Sequence, residues 1–540
     1  MQQRITINLN TDSKTTDKTT ILEYCSSHGI AGIETPCGGK GTCGKCKVTV
    51  TKPYYKDVLA CRTKICDGME IIVGRKESTG TKEDSMVVLT NGGNVSEKFN
   101  EHVNRNVVLK EETANVSEKV ESNEDTLAAC DIGTTTVVCY LIDKETGQII
   151  STRSGANPQR SFGADVLSRI EAAGRIEASS EPGLKIMQTQ IVSLLNGFIS
   201  EMLTECGRTK VSRFSVAGNT VMCHLLMGIS PAKMGKAPFL PDEYFGRAFN
   251  PLDIGLENCQ TMIIFPAVSG FVGGDITAGM METVNCNELT LYLDIGTNGE
   301  MALGKGDRYV CCATAAGPAF EGAQIEMGMP ASKGAVDKVW LEGRRIKYSV
   351  IGNDRPVGLC GSGLIDALAV LLKAGIIDEN GTILSGQELP ILFRSYVFEV
   401  EAEETAQSTE TSLAVHIAPG VYITQEDIRK LQLAKGAIAA GIEVLFKEYG
   451  CMPCNIDVLT FAGGFGNYID KASAAAIGLF PQELLDKAKE VGNAAGNGAV
   501  SAALSQEAWK RALDISGNMR YIELASYPHF NEMYVEHMNF

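Results

Sequence analysis

The sequence predicts a small α+β module at the N-terminus followed by a large, internally duplicated α/β body. Three observations predict this organisation. The loop CGGKGTCGKC (37–46) brings three cysteines together among short strand-like segments. A polar segment, residues 76–125, follows that module. The tetrapeptide D-I-G-T then occurs at 131–134 and again at 294–297, each time between two apolar runs.

Composition places the chain among globular proteins. It has 540 residues, 44% hydrophobic and 21% charged, which is enough for two or three domains. We expect no membrane association, because no apolar run reaches the ~18–20 residues of a membrane span. The net charge of −16 argues against nucleic acid as a partner. The start lacks a signal peptide pattern, so the 17 cysteines predict thiols and metal ligands in the cytoplasm.

The first 75 residues predict a β-grasp module. Thr20 and Glu23 form a capping box that predicts a helix through about Ser27. The module holds 11 Lys and Arg against 7 Asp and Glu, so a basic head precedes an acidic body. Three segments have the pattern of short strands: RITINL (4–9), KCKVTV (45–50) and MEIIVG (69–74).

The cysteine spacing predicts a [2Fe–2S] cluster. Cys37, Cys43 and Cys46 have the spacing C-x5-C-x2-C, one residue longer than the plant ferredoxin type. Cys61 is the expected fourth ligand because it follows an apolar approach, and Cys66 is the alternative. A structural zinc site is the rival interpretation, although zinc sites favour paired C-x2-C units and this loop has one.

Residues 76–125 predict a flexible linker. The segment is polar and charge-rich, Phe99 is its only aromatic residue, and NVSEK occurs in it twice. Such a composition buries little apolar surface. We therefore expect a mobile N-terminal module that shuttles between partners.

The repeated D-I-G-T predicts a duplicated nucleotide-binding body. A tight turn between two strands exposes backbone N–H groups and a hydroxyl that can bind phosphates. An aspartate at the strand end can bind Mg²⁺ or orient an attacking water. The later strand VLTFAGGFGNYID (458–470) ends in glycines against which a nucleoside can lie. AGNGAVSAAL (495–504) predicts the beginning of a helix whose small residues permit close packing or a hinge between lobes.

These motifs resemble the phosphate-1, phosphate-2, adenosine and connecting motifs of the acetate and sugar kinase, Hsp70 and actin superfamily, whose domains are duplicated and RNase H-like. With the N-terminal module, the whole chain resembles the ATP-dependent reductive activators of corrinoid proteins. Five further stretches carry this resemblance: FSVAGNTVMCHLLMG (214–228), FPAVSGFVGGDITAGM (265–280), AAGPAFEGAQIEMGM (315–329), LCGSGLIDALA (359–369) and YVEHMNF (534–540).

The resemblance implies a domain division and a set of site residues. The domains would be a ferredoxin-type module (1–75), the linker (76–125) and a two-lobed ATP-binding domain (126–540), with lobes at about 126–287 and 288–540. Asp131 and Asp294 would be the catalytic, phosphate- and Mg²⁺-binding aspartates. The residues implied to line the nucleotide are Gly133, Thr134, Thr135, Asn219, Asp275, Gly296, Thr297, Asn298, Gly463, Gly464 and Gly466.

Two qualifications apply to this set. Glu321 is a weaker further candidate. Turn capping is the alternative role for Thr135 and Asn298.

The C-terminal tail has no cysteine, so a single [2Fe–2S] cluster is implied.

The implied function is ATP-dependent reduction of Co(II) to Co(I) in a corrinoid methyl carrier, through the [2Fe–2S] cluster. The implied cofactors are that cluster, ATP and Mg²⁺. The implied partners are a corrinoid protein of a methyltransferase system and an upstream electron donor, a ferredoxin or a flavoprotein; a homodimer is left open. Three alternatives stay open: a reductive activator of another enzyme such as a dehydratase, a small-molecule kinase fused to a ferredoxin module, and a ferredoxin-like carrier that binds nucleotide for regulation.

Overall fold

The computed structural model describes residues 4–9, 19–27, 33, 46–52, 56–66, 68–74, 126–175, 182–296, 298–401, 411–463 and 468–540. Several predictions fall outside these ranges: Cys37, Cys43, Thr297, Gly464, Gly466 and the linker 76–125.

In the described part of the N-terminal module, four antiparallel strands form a sheet in the order β1-β4-β2-β3. Helix α1 (Ile21–Ser27) packs on it, and the capping box is confirmed: the Thr20 amide donates to Glu23 Oε2 at 2.7 Å, and the Glu23 amide donates to Thr20 Oγ1 at 3.3 Å. All three predicted strands are present, and β3 is additional. The strands are β1 (Arg4–Leu9), β2 (Lys47–Lys52), β3 (Lys56–Leu59) and β4 (Met69–Gly74).

The chain divides into two compact units. The first comprises residues 1–282 and 495–516, and the second comprises 283–494 and 517–540. Residues 495–516 therefore belong to the first unit. The division implied by the sequence, with a single boundary near residue 287, places them in the second lobe instead.

A mixed six-stranded sheet forms the centre of the first unit, in the order β7-β6-β5-β8-β10-β9. Strand β5 is antiparallel to β6 and parallel to β8, and β8 is parallel to β10. The strands are β5 (Thr126–Ile132), β6 (Thr136–Asp143), β7 (Ile149–Ala156), β8 (Val211–Gly218), β9 (Arg247–Phe249) and β10 (Met262–Ile264).

The second unit has its own six-stranded sheet, in the order β21-β20-β11-β12-β13-β22. Its strands are β11 (Thr290–Ile295), β12 (Gly299–Lys305), β13 (Arg308–Thr314), β20 (Val458–Ala462), β21 (Ala488–Glu490) and β22 (Met519–Tyr521). Two three-stranded sheets lie between β13 and β20 in the chain: β14 (Ala335–Glu342), β15 (Arg345–Val350) and β16 (Gly358–Leu359), then β17 (Val397–Glu401), β18 (Thr411–Ala418) and β19 (Val421–Thr424).

Helices cover these sheets and bury their apolar faces. Each unit has its own cluster of buried hydrophobic side chains, and the N-terminal module has a small separate one. The helices of the two units are α2 (Val166–Ala173), α3 (Gly183–Glu205), α4 (Thr220–Met227), α5 (Gly274–Thr283), α6 (Gly361–Lys373), α7 (Gln425–Tyr449), α8 (Lys471–Ala476), α9 (Ala494–Leu504), α10 (Gln506–Gly517) and α11 (Phe530–Glu536).

The two large sheets repeat one topology. In each, the first strand has an antiparallel hairpin on one side, and on the other side it pairs with a parallel strand that in turn pairs with a second parallel strand. Thus β5, β6, β7, β8 and β10 correspond to β11, β12, β13, β20 and β21. Each D-I-G-T segment joins the first strand of its sheet to the second, so the predicted strand–turn–strand duplication is confirmed.

Candidate functional site

The fold of the N-terminal module brings Cys46 and Cys61 together. Cys46 directly precedes β2 and is 1% exposed, and Cys61 follows β3, the partner of β2. The two Sγ atoms lie 3.2 Å apart. Two thiolates bound to one tetrahedral metal with bonds of about 2.3 Å lie roughly 3.8 Å apart. A small movement of the two Sγ atoms away from each other would therefore let both bind one iron. Cys66 is exposed.

The first D-I-G-T turn, residues 133–135, is closed by the backbone. The Gly133 amide donates to the carbonyl of Thr136 at 3.0 Å. A Cβ on Gly133 would lie 2.7 Å from that same carbonyl oxygen, closer than real Cβ contacts allow. Glycine is therefore required for the turn to be this tight.

Residues from outside the turn donate hydrogen bonds to its carbonyl groups. Asn157 Nδ2 donates to Gly133 O at 2.9 Å, and the backbone N–H of Asn157 donates to Thr135 O at 2.9 Å. Arg169, on α2, donates through Nη2 to Thr134 O. All three turn carbonyls thus have identified donors.

Asp131 lies at the end of β5, beside the parallel strand β8. Asn219 follows β8 and caps α4, because its Oδ1 accepts a hydrogen bond from Val221 N at 2.9 Å. Burial raises the pKa of the Cys223 thiol, and the negative charges of Asp275 and Asp131 raise it further. Both carboxylates thus act electrostatically on one thiol, whose Sγ contacts Gly218 O at 3.6 Å, at the end of β8.

Asp275 lies in the first turn of α5 and is half-buried. Gly273, just before that helix, packs directly on the backbone that leads into α4: a Cβ there would lie 2.5 Å from Thr220 N. Burial raises the pKa of the Asp275 carboxyl to about 6, against the opposing effect of backbone amides, including that of Ile276. The structure thus groups Asp131, Asn219 and Asp275.

The second D-I-G-T turn carries a different set of side chains. The Gly296 amide donates to Asn298 O at 2.9 Å, and Asn298 Nδ2 donates to Glu300 Oε1 at 3.3 Å. Glu300 is buried and pairs across the strands with Asp294. Glu321 reaches the same turn, since a Cβ on Gly296 would lie 3.9 Å from Glu321 Oε1.

Gly463 lies directly against Asp294. Strand β20 is parallel to β11, with Ala462 beside Asp294, so Gly463 immediately follows that register position. Gly463 has φ of +83°, and a Cβ on it would lie 2.4 Å from Asp294 Oδ1. The helix predicted to begin within residues 495–504 is present as α9 (Ala494–Leu504). A Cβ on Gly498 would lie 2.2 Å from Ala278 O, so α9 packs closely there.

The described part of the chain has neither a cluster of metal-binding side chains nor a membrane-spanning helix. No three His, Cys, Asp or Glu side chains in the described ranges gather as a metal-binding group. Within the same ranges, no helix is long and apolar enough to cross a membrane. Mg²⁺ commonly keeps several waters and takes only one or two carboxylates plus substrate phosphates, so the carboxylates present fit that mode of binding.

Sequence reasoning missed three polar residues at the turns: Asn157, Arg169 and Glu300. Glu300 carries a usable signal, because it is a charged residue in the otherwise apolar strand β12. Asn157 and Arg169 carry none, since their contacts with the first turn span 24 and 35 residues of sequence.

Three family models match consecutive parts of the chain. Residues 7–66 match a 2Fe-2S iron-sulfur cluster binding domain, residues 127–285 match the RACo middle region, and residues 288–540 match the C-terminal domain of RACo, the ASKHA domain. The fold and the site therefore define an iron–sulfur protein with an ATP-binding body of the acetate and sugar kinase, Hsp70 and actin superfamily.

Similar proteins identify the family within that class. The chain is 32% identical to the corrinoid activation enzyme RamQ of Eubacterium limosum, over 95% of each chain. It is 26% identical to a [Co(II) methylated amine-specific corrinoid protein] reductase of Methanosarcina barkeri, over 65% of each. A solved reductive activator for a corrinoid, iron–sulfur protein is 29% identical, with a TM-score of 0.66, covering 97% of this chain and 96% of that one. The chain belongs to the family of reductive activators of corrinoid proteins.

Proposed function

We propose that this protein uses ATP to return one electron to the cobalt of a corrinoid protein, reducing Co(II) to Co(I). The observation that carries the proposal is the combination in one chain of the paired thiols of Cys46 and Cys61 with two D-I-G-T turns at equivalent positions of two sheets. Relatives along nearly the full length are named for corrinoid activation and for Co(II) corrinoid reduction.

Four cysteines would hold the [2Fe–2S] cluster: Cys37, Cys43, Cys46 and Cys61. The short Sγ–Sγ distance supports Cys46 and Cys61 as ligands of one iron, and the exposure of Cys66 argues for Cys61 as the fourth ligand. When bound, such a cluster supplies one electron at a time at low potential. The burial of Cys46 in the small apolar core would keep water from the sulfur.

The two turns would bind Mg²⁺–ATP. The tight backbone at Gly133, with Thr134 and Thr135, would bind phosphate through N–H and hydroxyl groups. Asp131 and Asp294 would hold Mg²⁺ through water or orient an attacking water. The further residues proposed for nucleotide contact are Asn219, Asp275, Gly296, Thr297, Asn298, Gly463, Gly464 and Gly466, with Glu300 and Glu321 beside the second turn.

ATP is required because the electron must move to a lower potential. Plant-type clusters lie near −400 mV, and an acceptor about 0.2 V lower costs about 5 kcal/mol for one electron. Nucleotide can supply this only if it binds two states of the protein with different affinity. The upstream donor would be a ferredoxin or a flavoprotein, and the protein would act in the cytoplasm as a ferredoxin-type module (1–75), a linker (76–125) and an ATP-binding domain (126–540).

One experiment separates this function from its rivals. The reduced protein is mixed with a Co(II) corrinoid protein, with and without Mg²⁺–ATP, and the cobalt absorption is followed. We expect Co(I) to form only when ATP is present. A phosphorylated small molecule without Co(I) would instead identify a kinase, and equal rates with and without ATP would identify a simple carrier.

A second experiment tests the cluster ligands. Cys61→Ser is expected to lose or strongly alter the visible absorption of the cluster, whereas the matched variant Cys66→Ser keeps it at about two irons per chain. A normal spectrum in Cys61→Ser together with loss in Cys66→Ser would assign the fourth ligand to Cys66.

A further inference from the structure

The hydrogen bonds at the first turn fix the direction of its peptide groups. The Gly133 carbonyl accepts from the Asn157 side chain and the Thr134 carbonyl accepts from the Arg169 side chain, while the Thr135 carbonyl accepts from the backbone N–H of Asn157. A peptide unit is planar, and its C=O and the following N–H point in opposite directions. The two carbonyls held by these side chains, those of Gly133 and Thr134, therefore direct the following N–H groups, those of Thr134 and Thr135, away from Asn157 and Arg169.

Arg169 is a fully buried cation behind this turn. Its side chain is 0% exposed, and a guanidinium stays protonated inside proteins. Besides the Thr134 carbonyl, its Nε donates to Gly163 O at 3.0 Å, and its Nη1 lies 3.1 Å from Met222 Sδ. Met222 Sδ also lies 3.7 Å from Asn157 Nδ2, so the two residues share a neighbour on α4. The guanidinium is thus held in place on several sides.

The buried charge of Arg169 affects the electrostatic potential at the turn. Burying a charged group is costly unless hydrogen bonds and partner groups compensate it, so a fully buried arginine is rare. Here its positive charge lies behind a turn whose N–H groups already favour anions. Both effects act in the same direction, because each raises the electrostatic potential at the open side of the turn.

We propose that Arg169 and Asn157 are positioning residues that hold the first turn in the shape and potential that bind the ATP phosphates. This inference rests on the proposed nucleotide function of the turn. Neither side chain needs to touch the nucleotide, because Asn157 acts through the Gly133 carbonyl and Arg169 acts through the Thr134 carbonyl.

The test compares ATP and AMP binding in variants of the full-length protein. In Arg169→Met we expect ATP affinity to fall about tenfold or more, the loss associated with one charged hydrogen bond, while AMP affinity changes by less than about threefold. Arg169→Lys keeps the charge and should recover part of the loss. Arg208→Met is the matched control, since Arg208 pairs at 2.7 Å with Asp143 at the other end of the same hairpin.

A less disruptive variant, Asn157→Ser, tests the inference if Arg169→Met fails to fold. Asn157→Ser keeps an oxygen that can cap the following turn, where Asn157 Oδ1 now accepts from Gln159 N, but removes the donor to Gly133 O. We expect the same selective loss of ATP affinity, with an unchanged iron spectrum.

The outcomes are distinct. Equal ATP affinity in the folded variants and the wild type would overturn the inference. Equal losses of affinity for ATP and AMP would also overturn it, because they indicate a purely structural role. Neither result would contradict the proposed function. Absence of ATP binding by the wild type would overturn the proposed function itself.

Discussion

The two D-I-G-T turns have the same strand frame and different chemistry. At the first turn, Asn157 and the buried Arg169 bind the carbonyls, so the turn presents amide groups backed by a positive charge. At the second turn, Asp294 is accompanied by the carboxylates of Glu300 and Glu321. The two turns thus share a strand frame and differ in the residues that surround them, and we propose on this basis that the first turn binds mainly phosphate and the second mainly Mg²⁺ and water.

The backbone of the turns has diverged as well. The Gly133 amide bonds to the carbonyl three residues ahead, whereas the Gly296 amide bonds to the carbonyl only two residues ahead. The first turn is therefore one residue wider. A wider turn offers more N–H groups to an anion, which agrees with the proposed division.

The largest effect is expected at the second turn. Asp294→Asn should reduce the rate of ATP-dependent Co(I) formation about 100-fold or more, because a carboxylate that organises metal or water acts mainly on the rate. ATP affinity should change only a few-fold, and the iron spectrum should be unchanged. Glu342→Gln, an exposed carboxylate of the same unit, is the control. A normal rate in Asp294→Asn would contradict the assignment.

Gly463→Ala should also disturb the second turn. The added Cβ would lie 2.4 Å from Asp294 Oδ1, so the carboxylate must move, and we expect at least about a tenfold loss of activation rate. Gly420→Ala is matched in backbone strain, with φ of +77° and nothing within 4 Å, and should cost stability alone. Similar activity losses in the two variants would show that strain, and not the contact with Asp294, is responsible.

At the first turn, Gly133→Ala should act on affinity. Its Cβ would lie 2.7 Å from the Thr136 carbonyl, which opens the turn, and we expect the dissociation constant for ATP to rise about tenfold. The plateau rate at saturating ATP should change little. Gly197→Ala, where a Cβ meets nothing within 4 Å, serves as the control in a calorimetric titration. Unchanged ATP affinity would contradict the proposed difference in role between the two turns.

The smallest expected effect concerns Asp275. Its pKa is raised to about 6 by burial, above the usual 3.8, so ionisation destabilises the folded state and stability is lost as pH rises through about 6. Asp275→Asn removes that loss while keeping an acceptor for Ile276 N. In nucleotide-free protein its melting temperature should exceed that of the wild type by about 2–5 °C at pH 8, and by less at pH 5.5. A difference independent of pH would contradict the raised pKa.

Local patterns predicted much of this molecule. The capping box at Thr20 and Glu23, the strand–turn–strand repeats and the close packing of Gly498 all depend on neighbouring residues or on residue size, which sequence displays directly. The hydrogen bonds that hold the first turn come from Asn157 and Arg169, which tertiary folding brings to the turn from a distant loop and a distant helix. The inclusion of residues 495–516 in the first unit is likewise a long-range outcome.

The division between the turns is tested most directly by the initial rate of Co(I) formation as a function of ATP concentration. The wild type, Gly133→Ala and Asp294→Asn would be compared with the same reduced protein and Co(II) corrinoid partner. The account predicts that Gly133→Ala shifts the curve to higher ATP with a nearly unchanged plateau, while Asp294→Asn lowers the plateau with a nearly unchanged half-saturation. If both variants changed the same parameter, or if Co(I) formed equally without ATP, the account would be contradicted.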